Sequence, residues 1–253
     1  MQLLKWTCGD HEAVAEYLRL QSRKHVVVYT AVTGRNDKPY SNIRPPAIRD
    51  VEHVCFTDIP DDIPGWKTRR DGCDSGLTPE LLSRRWKCLA HEMFPEATHS
   101  IYIDASMQLL IHPLDLLSKL ESRWENAEIA AVRHPYQTED DSWTVSSELD
   151  WVVENHHAPS DLIARQRDAY KEHGWLGLRV SQCGLLIRKH TPRVAEMNKL
   201  WWNQIQTYGH RRDQPSFPVA AHLASVHVNE WSHHERSAHF TKWFGHTMSR
   251  PQY

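Results

Sequence analysis

Three short stretches concentrate residue types able to do chemistry. In IYIDAS (Ile101–Ser106) an aspartate, Asp104, stands directly after an apolar run, with Ser106 two positions on. In SRRWK, Arg84, Arg85 and Lys87 supply cations, and Arg84, Lys87 and His91 share one helical stripe by their spacings of three and four. In RRDQPSF (Arg211–Phe217), Asp213 and Gln214 follow two arginines. Carboxylates offer oxygen ligands to hard ions, and lysine or arginine stabilises charge that develops on phosphate. Each group also has a plain structural use: the cations as a solvated helix face, Asp213 as an N-cap for a helix running on through Ala220–Ala224, Asp58 as a turn residue.

The elements that must position these groups read as an alternation. Unbroken apolar or β-branched runs predict strands at His25–Gly34, Val51–Asp58, His99–Ser106, Glu128–Pro135 and Cys183–His190. Amphipathic spacing predicts helices at Glu12–Gln21, Thr78–Pro95, His112–Trp124, Val145–Asn155, Ser160–His173 and Thr191–Gly209. Thr78 with Pro79 marks one helix start, and Gly209 closes the last. Arg35–Pro46 reads as a polar loop, and the tail after Val226 has no clear period. Strands alternating with helices predict an α/β protein built on a mostly parallel sheet, which binds ligands outside the carboxyl ends of its strands. Polar groups fall at those ends: Thr33 and Gly34, Thr57 and Asp58, Asp104 and Ser106, Arg133 and His134.

Composition narrows the classes. The 253 residues are long enough for one full α/β core, and no long polar linker divides them. A formal net charge of −2 supplies no global pull toward nucleic acid or an acidic membrane. Five scattered cysteines without CxxC spacing form neither a disulfide framework nor a zinc finger. No run is long enough to span a membrane and no signal-peptide stretch opens the chain, so a cytoplasmic setting is expected. With 18 histidines and 11 tryptophans, only those placed by a second argument earn a role. A serine nucleophile elbow and an HExxH zinc motif are both missing, which weighs against a hydrolase.

The series VVVYTAVTG with Asp37, HVCFTD, Trp66, RRWK, IYIDASMQL, AAVRHP, LWWNQI and RRDQPSF, in that order, resembles a glycosyltransferase-like domain family. That family, formerly of unknown function, occurs in bacterial proteins and in plant proteins linked to cell-wall mucilage; some plant members have carried an alkaline-ceramidase label. The resemblance runs from about His25 to Phe217. It implies a GT-A-like fold, one domain over 1–253 with an N-terminal extension (1–24) and a His/Trp-rich tail (226–253), and transfer of a sugar from a nucleotide sugar of the UDP type. The alternative is a non-catalytic nucleotide- or carbohydrate-binding module.

Under that resemblance Tyr29, Thr30 and Thr33 line the nucleotide, with Tyr29 as an aromatic wall, and Asp58 accepts from base or ribose. Asp104 holds Mn²⁺ or Mg²⁺ on the diphosphate, although the usual second carboxylate is replaced in Asp104–Ala105–Ser106. Either another ligand completes the site, His239 of HFTKW being the candidate, or Arg84, Arg85 and Lys87 do the ion's work. Asp213 and Gln214 sit near the reacting sugar and favour retention, Arg212 pairs with carboxylate or phosphate, and His134 joins the pocket. The acceptor stays open among glycan, lipid, protein and modified nucleic-acid base.

Overall fold

In the computed structural model, residues 24–34, 48, 51–137 and 142–243 are described. The expected helix Glu12–Gln21, the loop Arg35–Pro46 with Asp37, and the chain beyond Trp243 lie outside them.

One seven-stranded sheet organises the chain. Its strands are β1 (Val26–Val32), β2 (Glu52–Thr57), β3 (Lys67–Arg69), β4 (His99–Ile103), β6 (Ile129–Arg133), β7 (Ser181–Lys189) and β8 (Val228–Trp231), in the spatial order β3-β2-β1-β4-β7-β6-β8. All pairings are parallel except those of β7, which runs against both β4 and β6. Six strands therefore end on one edge, and β7 begins there. The mostly parallel α/β sheet expected from the sequence is present. β5 (Met107–Leu109) and β9 (Thr241–Trp243) form a separate antiparallel pair.

The helices are α1 (Pro79–Cys88), α2 (Ala90–Met93), α3 (Pro113–Arg123), α4 (Val145–Glu154), α5 (Ser160–Glu172), α6 (Pro192–Tyr208), α7 (Ser216–Leu223) and the single turn α8 (His233–Glu235). Side chains alternate across β1: Val27 and Tyr29 join Trp86 of α1, Trp201 of α6 and Phe217 of α7, whereas Val26 and Val28 join Leu116, Leu117 and Leu120 of α3. The sheet is thus covered on both faces, as continuous apolar strands require. A third cluster packs α4 and α5 through Val145, Leu149, Ile163 and Tyr170.

Two expectations need correction. The helix expected over Thr78–Pro95 breaks at Leu89 (φ −92°, ψ 40°), although its apolar stripe of Leu82, Trp86, Leu89 and Met93 is buried as expected. Helix α7 starts at Ser216 after Pro215, so Asp213 does not cap it; the Asp213 carboxylate is drawn instead to Lys87.

The chain order explains where a site belongs. From β1 it steps outward through β2 to β3, then crosses to β4 on the other side of β1. Between β1 and β4 the winding reverses, and that switch point leaves a crevice at the carboxyl edge. Thr33 and Asp104 follow the two strands that flank it.

Candidate functional site

Helix α1 brings two cations to this edge. The Thr78 hydroxyl accepts from the backbone N–H of Leu81 and Pro79 opens the helix, fixing its start. Its far end is held from inside the core by Arg188, fully buried on β7, whose guanidinium donates to the Lys87 carbonyl at 2.9 Å and to the Cys88 carbonyl at 3.3 Å. Tyr29 also donates to the Lys87 carbonyl, at 2.9 Å. Free carbonyls at a helix C-terminus attract such donors. With the backbone pinned there, Lys87 turns its ammonium away from solvent: Nζ lies 4.8 Å from the Tyr102 ring centroid and 2.6 Å from Asp213 Oδ2. Lys87 is therefore no member of a solvated face.

Asp213 is held by the segment after α6. Gly209 ends that helix in the left-handed region (φ 68°), turning the chain back. His210 Nδ1 accepts from the Arg212 N–H, so Nε2 carries the hydrogen and donates to Gln166 Oε1 at 2.7 Å. Trp201 Nε1 donates to the Asp213 carbonyl at 2.8 Å, and Arg84 Nε donates to the Arg211 carbonyl at 2.8 Å. The carboxylate faces Lys87 and, at 3.7 Å, Arg84. Burial alone would raise its pKa, but the two cations outweigh burial and hold it well below the usual carboxylate range. Asp213 stays ionised.

Asp104 occupies the next position along the edge. Its N–H donates to the Gly184 carbonyl of β7 at 2.8 Å, and the Tyr102 hydroxyl donates to Oδ1 at 3.1 Å. A Cβ at Gly184 would stand 2.8 Å from Asp104 Oδ2 and 2.8 Å from Met107 Cε, so a side chain there would make the carboxylate and the methionine end shift. The turn Asp104–Ala105–Ser106 then enters β5, and Ser106 is buried. Pairing of β5 with β9 lays residues 236–240 alongside. Arg236, 5 % exposed, donates to Met107 Sδ at 3.9 Å, His233 Nε2 at 2.9 Å and Ser237 Oγ at 3.0 Å. Its Nε finds no partner among the described residues.

A further cluster follows β6. His134 stacks on Trp143 with ring centroids 5.0 Å apart, and its Nε2 lies 3.5 Å from Glu148 Oε2. Glu148, 1 % exposed, accepts from Trp143 Nε1 at 2.8 Å and from Arg212 at 3.0 Å, and Arg212 also donates to Gln214 Oε1 at 3.0 Å. Burial pushes the His134 pKa down to about 4, with Arg212 adding to the effect, so the ring is neutral near pH 7. Burial raises the Glu148 pKa while Arg212 opposes it.

Asp104, Asp213, Arg84 and Lys87 therefore form one charged group, and Gln214, Arg212 and His134 a second one joined to it through residues 212–214. Asp58 stands at the same edge just after β2, its carboxylate accepting from the Gly34 N–H at 3.1 and 3.2 Å; it fixes the turn after β1, where Gly34 has φ 92°. Thr33 is half-buried there. Tyr29 and Thr30 are fully buried, and the Tyr29 ring packs against Phe56, Phe94 and Tyr102, so the expected aromatic wall is core instead. Arg85 lies against Gly72, not in the charged group. The side chain of His239 lies outside the described residues.

Glu148, Trp143, Gly184 and Arg236 were not singled out from sequence. Glu148 had a signal: with Val145, Leu149 and Val152 it falls on the apolar stripe of α4, where a carboxylate must find partners. Arg236 had none, since its segment lacks a period.

A mixed α/β sheet with carboxylates and cations at its switch point is an arrangement that a glycosyltransferase-like domain can use. The chain belongs to the TOD1/MUCI70 glycosyltransferase-like domain family, whose model matches residues 83–246. The match starts later than the segments that suggested it, and includes the aperiodic tail. The chain is 30% identical over 168 residues to a probable hexosyltransferase, MUCI70, from Arabidopsis thaliana, covering 63% of this chain and 26% of that protein. It is 27% identical over 152 residues to the alkaline ceramidase TOD1 of the same plant, covering 56% of this chain and 31% of that protein. The matches span only about a quarter to a third of these curated relatives. Among solved structures, mouse xyloside xylosyltransferase 1 in its apo form aligns with a TM-score of 0.43 and 12% identity, covering 85% of this chain and 90% of that one. Core-mannan synthase A from Aspergillus fumigatus in its Mn/GDP form aligns with a TM-score of 0.46 and 8% identity, covering 82% and 73%. Neither likeness is close enough to transfer a residue's role.

Proposed function

We propose that this chain is a single glycosyltransferase-like domain that moves a sugar from a nucleotide sugar of the UDP type to an acceptor hydroxyl, with retention at the anomeric carbon. One observation carries the reading: two carboxylates, Asp104 and Asp213, share the switch-point edge with the cations Lys87, buried, and Arg84, half-buried. Such an edge suits a sugar diphosphate, whose hydroxyls need acceptors and whose phosphates need positive charge. In this scheme Thr33 and Asp58 serve the nucleoside end, Asp104 and Ser106 the donor at the end of β4, and Asp213 with Gln214 the reacting sugar. Arg212 and His134 border the pocket on the β6 side. Tyr29 and Thr30 have no direct part.

Retention is favoured by the state of the carboxylates. Asp213 is held ionised by cations and is a weak base. Glu148 has both oxygens engaged, by Trp143 and Arg212, and serves to position Arg212. The described residues contain no group of three or more His, Cys, Asp or Glu side chains able to hold a divalent ion. No described helix is long and apolar enough to cross a membrane. A cytoplasmic setting belongs to the same proposal, supported by the free thiols of Cys55, Cys73, Cys88 and Cys183.

The test is a thermal-shift screen of nucleoside diphosphates and nucleotide sugars, followed by donor hydrolysis assays on the wild type, Asp104→Asn and Asp213→Asn. A bound nucleotide must raise Tm, and both variants are expected to cut hydrolysis at least about tenfold, the loss of one charged contact in the transition state. The missing second carboxylate after Asp104 supports one other reading, a non-catalytic binding module; nucleotide binding with no turnover of any donor would establish it instead.

A further inference from the structure

The donor set at Asp104 is wrong for a divalent ion and right for an anion. Asp104 is the one carboxylate of its triplet, Ser106 standing where a second would add charge. One of its oxygens already accepts from Tyr102. Its neighbours are cations. Arg236 reaches Met107 Sδ at 3.9 Å, and the methyl of that methionine and Asp104 Oδ2 lie 2.8 Å from the same point above Gly184. Arg84 senses the charges of both Asp213 and Asp104. A divalent ion here would sit against buried positive charge with a single carboxylate to offset it, and like charges at such range repel strongly in a poorly solvated site.

Counting charges gives the same answer. The group holds Arg84, Lys87 and Arg236 against Asp104 and Asp213, and Arg212 is matched separately by Glu148. One positive charge is left over. Arg84 and Lys87 share Asp213, while Arg236 feels Asp104 only through space: it is 5 % exposed, makes no ion pair within 4.0 Å among the described residues, and its Nε has no acceptor among them. A desolvated guanidinium with an idle donor is costly unless something anionic completes it.

We propose that Arg236 is a donor-binding residue that takes the diphosphate of the nucleotide sugar directly, with Lys87 and Arg84 behind it, in place of a divalent ion. The inference rests on the glycosyltransferase reading. As the acceptor oxygen forms its bond to the anomeric carbon, the glycosyl C–O bond breaks and its electron pair goes to the departing diphosphate oxygen; the guanidinium meets the negative charge that develops there, and that oxygen then takes the proton lost by the acceptor hydroxyl. The idle Nε–H can take one phosphate oxygen directly, while the contacts of Nη1 and Nη2 to Met107, His233 and Ser237 hold the guanidinium in place.

Calorimetric titration of the full chain with UDP, and with GDP as a second base, tests this in EDTA and in Mn²⁺. The wild type is expected to bind one of them with affinities within about twofold in the two buffers, and Arg236→Gln to lose about tenfold or more in both, the cost of deleting a charged phosphate contact. The loss should be smaller for the matching monophosphate, a selectivity that a merely structural role would not produce. Arg236→Lys, which keeps the charge, should recover part of the affinity and carries the test if the glutamine variant does not fold. Binding that appears only with Mn²⁺, or an unchanged affinity in Arg236→Gln, overturns the inference while leaving the donor reading intact. Failure of both nucleotides to bind in either buffer overturns the donor reading itself.

Discussion

Lys87 and Asp213 illustrate how little a residue's type says without its surroundings. From spacing alone Lys87 belongs to a polar helical stripe, yet its ammonium is buried against Tyr102 and 2.6 Å from a carboxylate. Desolvating both charges is repaid only while they stay together, and removing one partner of a buried pair costs about 3–5 kcal/mol. Lys87→Met and Asp213→Asn should therefore each lower the urea unfolding free energy by amounts in that range. The double variant should cost clearly less than their sum, which a double-mutant cycle reads directly. Additive losses would mean that the two groups do not depend on one another. Asp104 was legible as a site candidate because it stands at the end of a strand, where polar groups meet an edge, and Asp213 because the stretch RRDQPSF carries the family resemblance. Glu148 was overlooked because its neighbours in sequence are those of an ordinary amphipathic helix. Arg236 was illegible because nothing local sets its position; its place depends on β5 and β9 pairing across the chain.

Among the elements, the long ones were readable and the short ones were not. β1, β2, β4, β6 and β7 are unbroken apolar runs, and burial on both faces dictates that pattern. β3, β5 and β9 have three residues each and β8 four, too few to express a period, so tertiary pairing creates them. Helix α1 is the element on which the charged group depends. Its start is set by the Thr78 hydroxyl and its end by Arg188. Thr78→Ala should cost about 1 kcal/mol, the usual value of such a cap, as measured by chemical denaturation. Because Arg188 still anchors the far end, Lys87 should stay in place, and nucleotide affinity should change much less than stability does. A large loss of affinity would show that the cap, not the core anchor, sets the position of Lys87.

At the scale of the molecule, buried imidazoles set the response to acid. Burial pushes His99, His134, His190 and His210 down to about 4, from an ordinary value near 6.5. In the unfolded chain each takes a proton as pH falls through about 6.5, whereas the folded form resists until about 4. Between those values the unfolded state binds more protons, so stability falls with pH, by at most about 1.4 kcal/mol per unit for each group. Urea midpoints measured from pH 7 to pH 4 should drop steadily across this window, and replacing His99 or His190 with Gln should flatten the slope. A midpoint independent of pH in that range would contradict the burial of these rings. A different consequence follows from the ladder in which Met107 faces Trp243 and Leu109 faces Thr241. During synthesis the sheet edge bearing Asp104 emerges from the ribosome long before its partner segment does. Until residues 236–243 have left the exit tunnel, β5 has no partner strand and Arg236 cannot take its place beside Met107. If Arg236 takes the diphosphate as proposed, donor capture has to wait until translation has passed this segment.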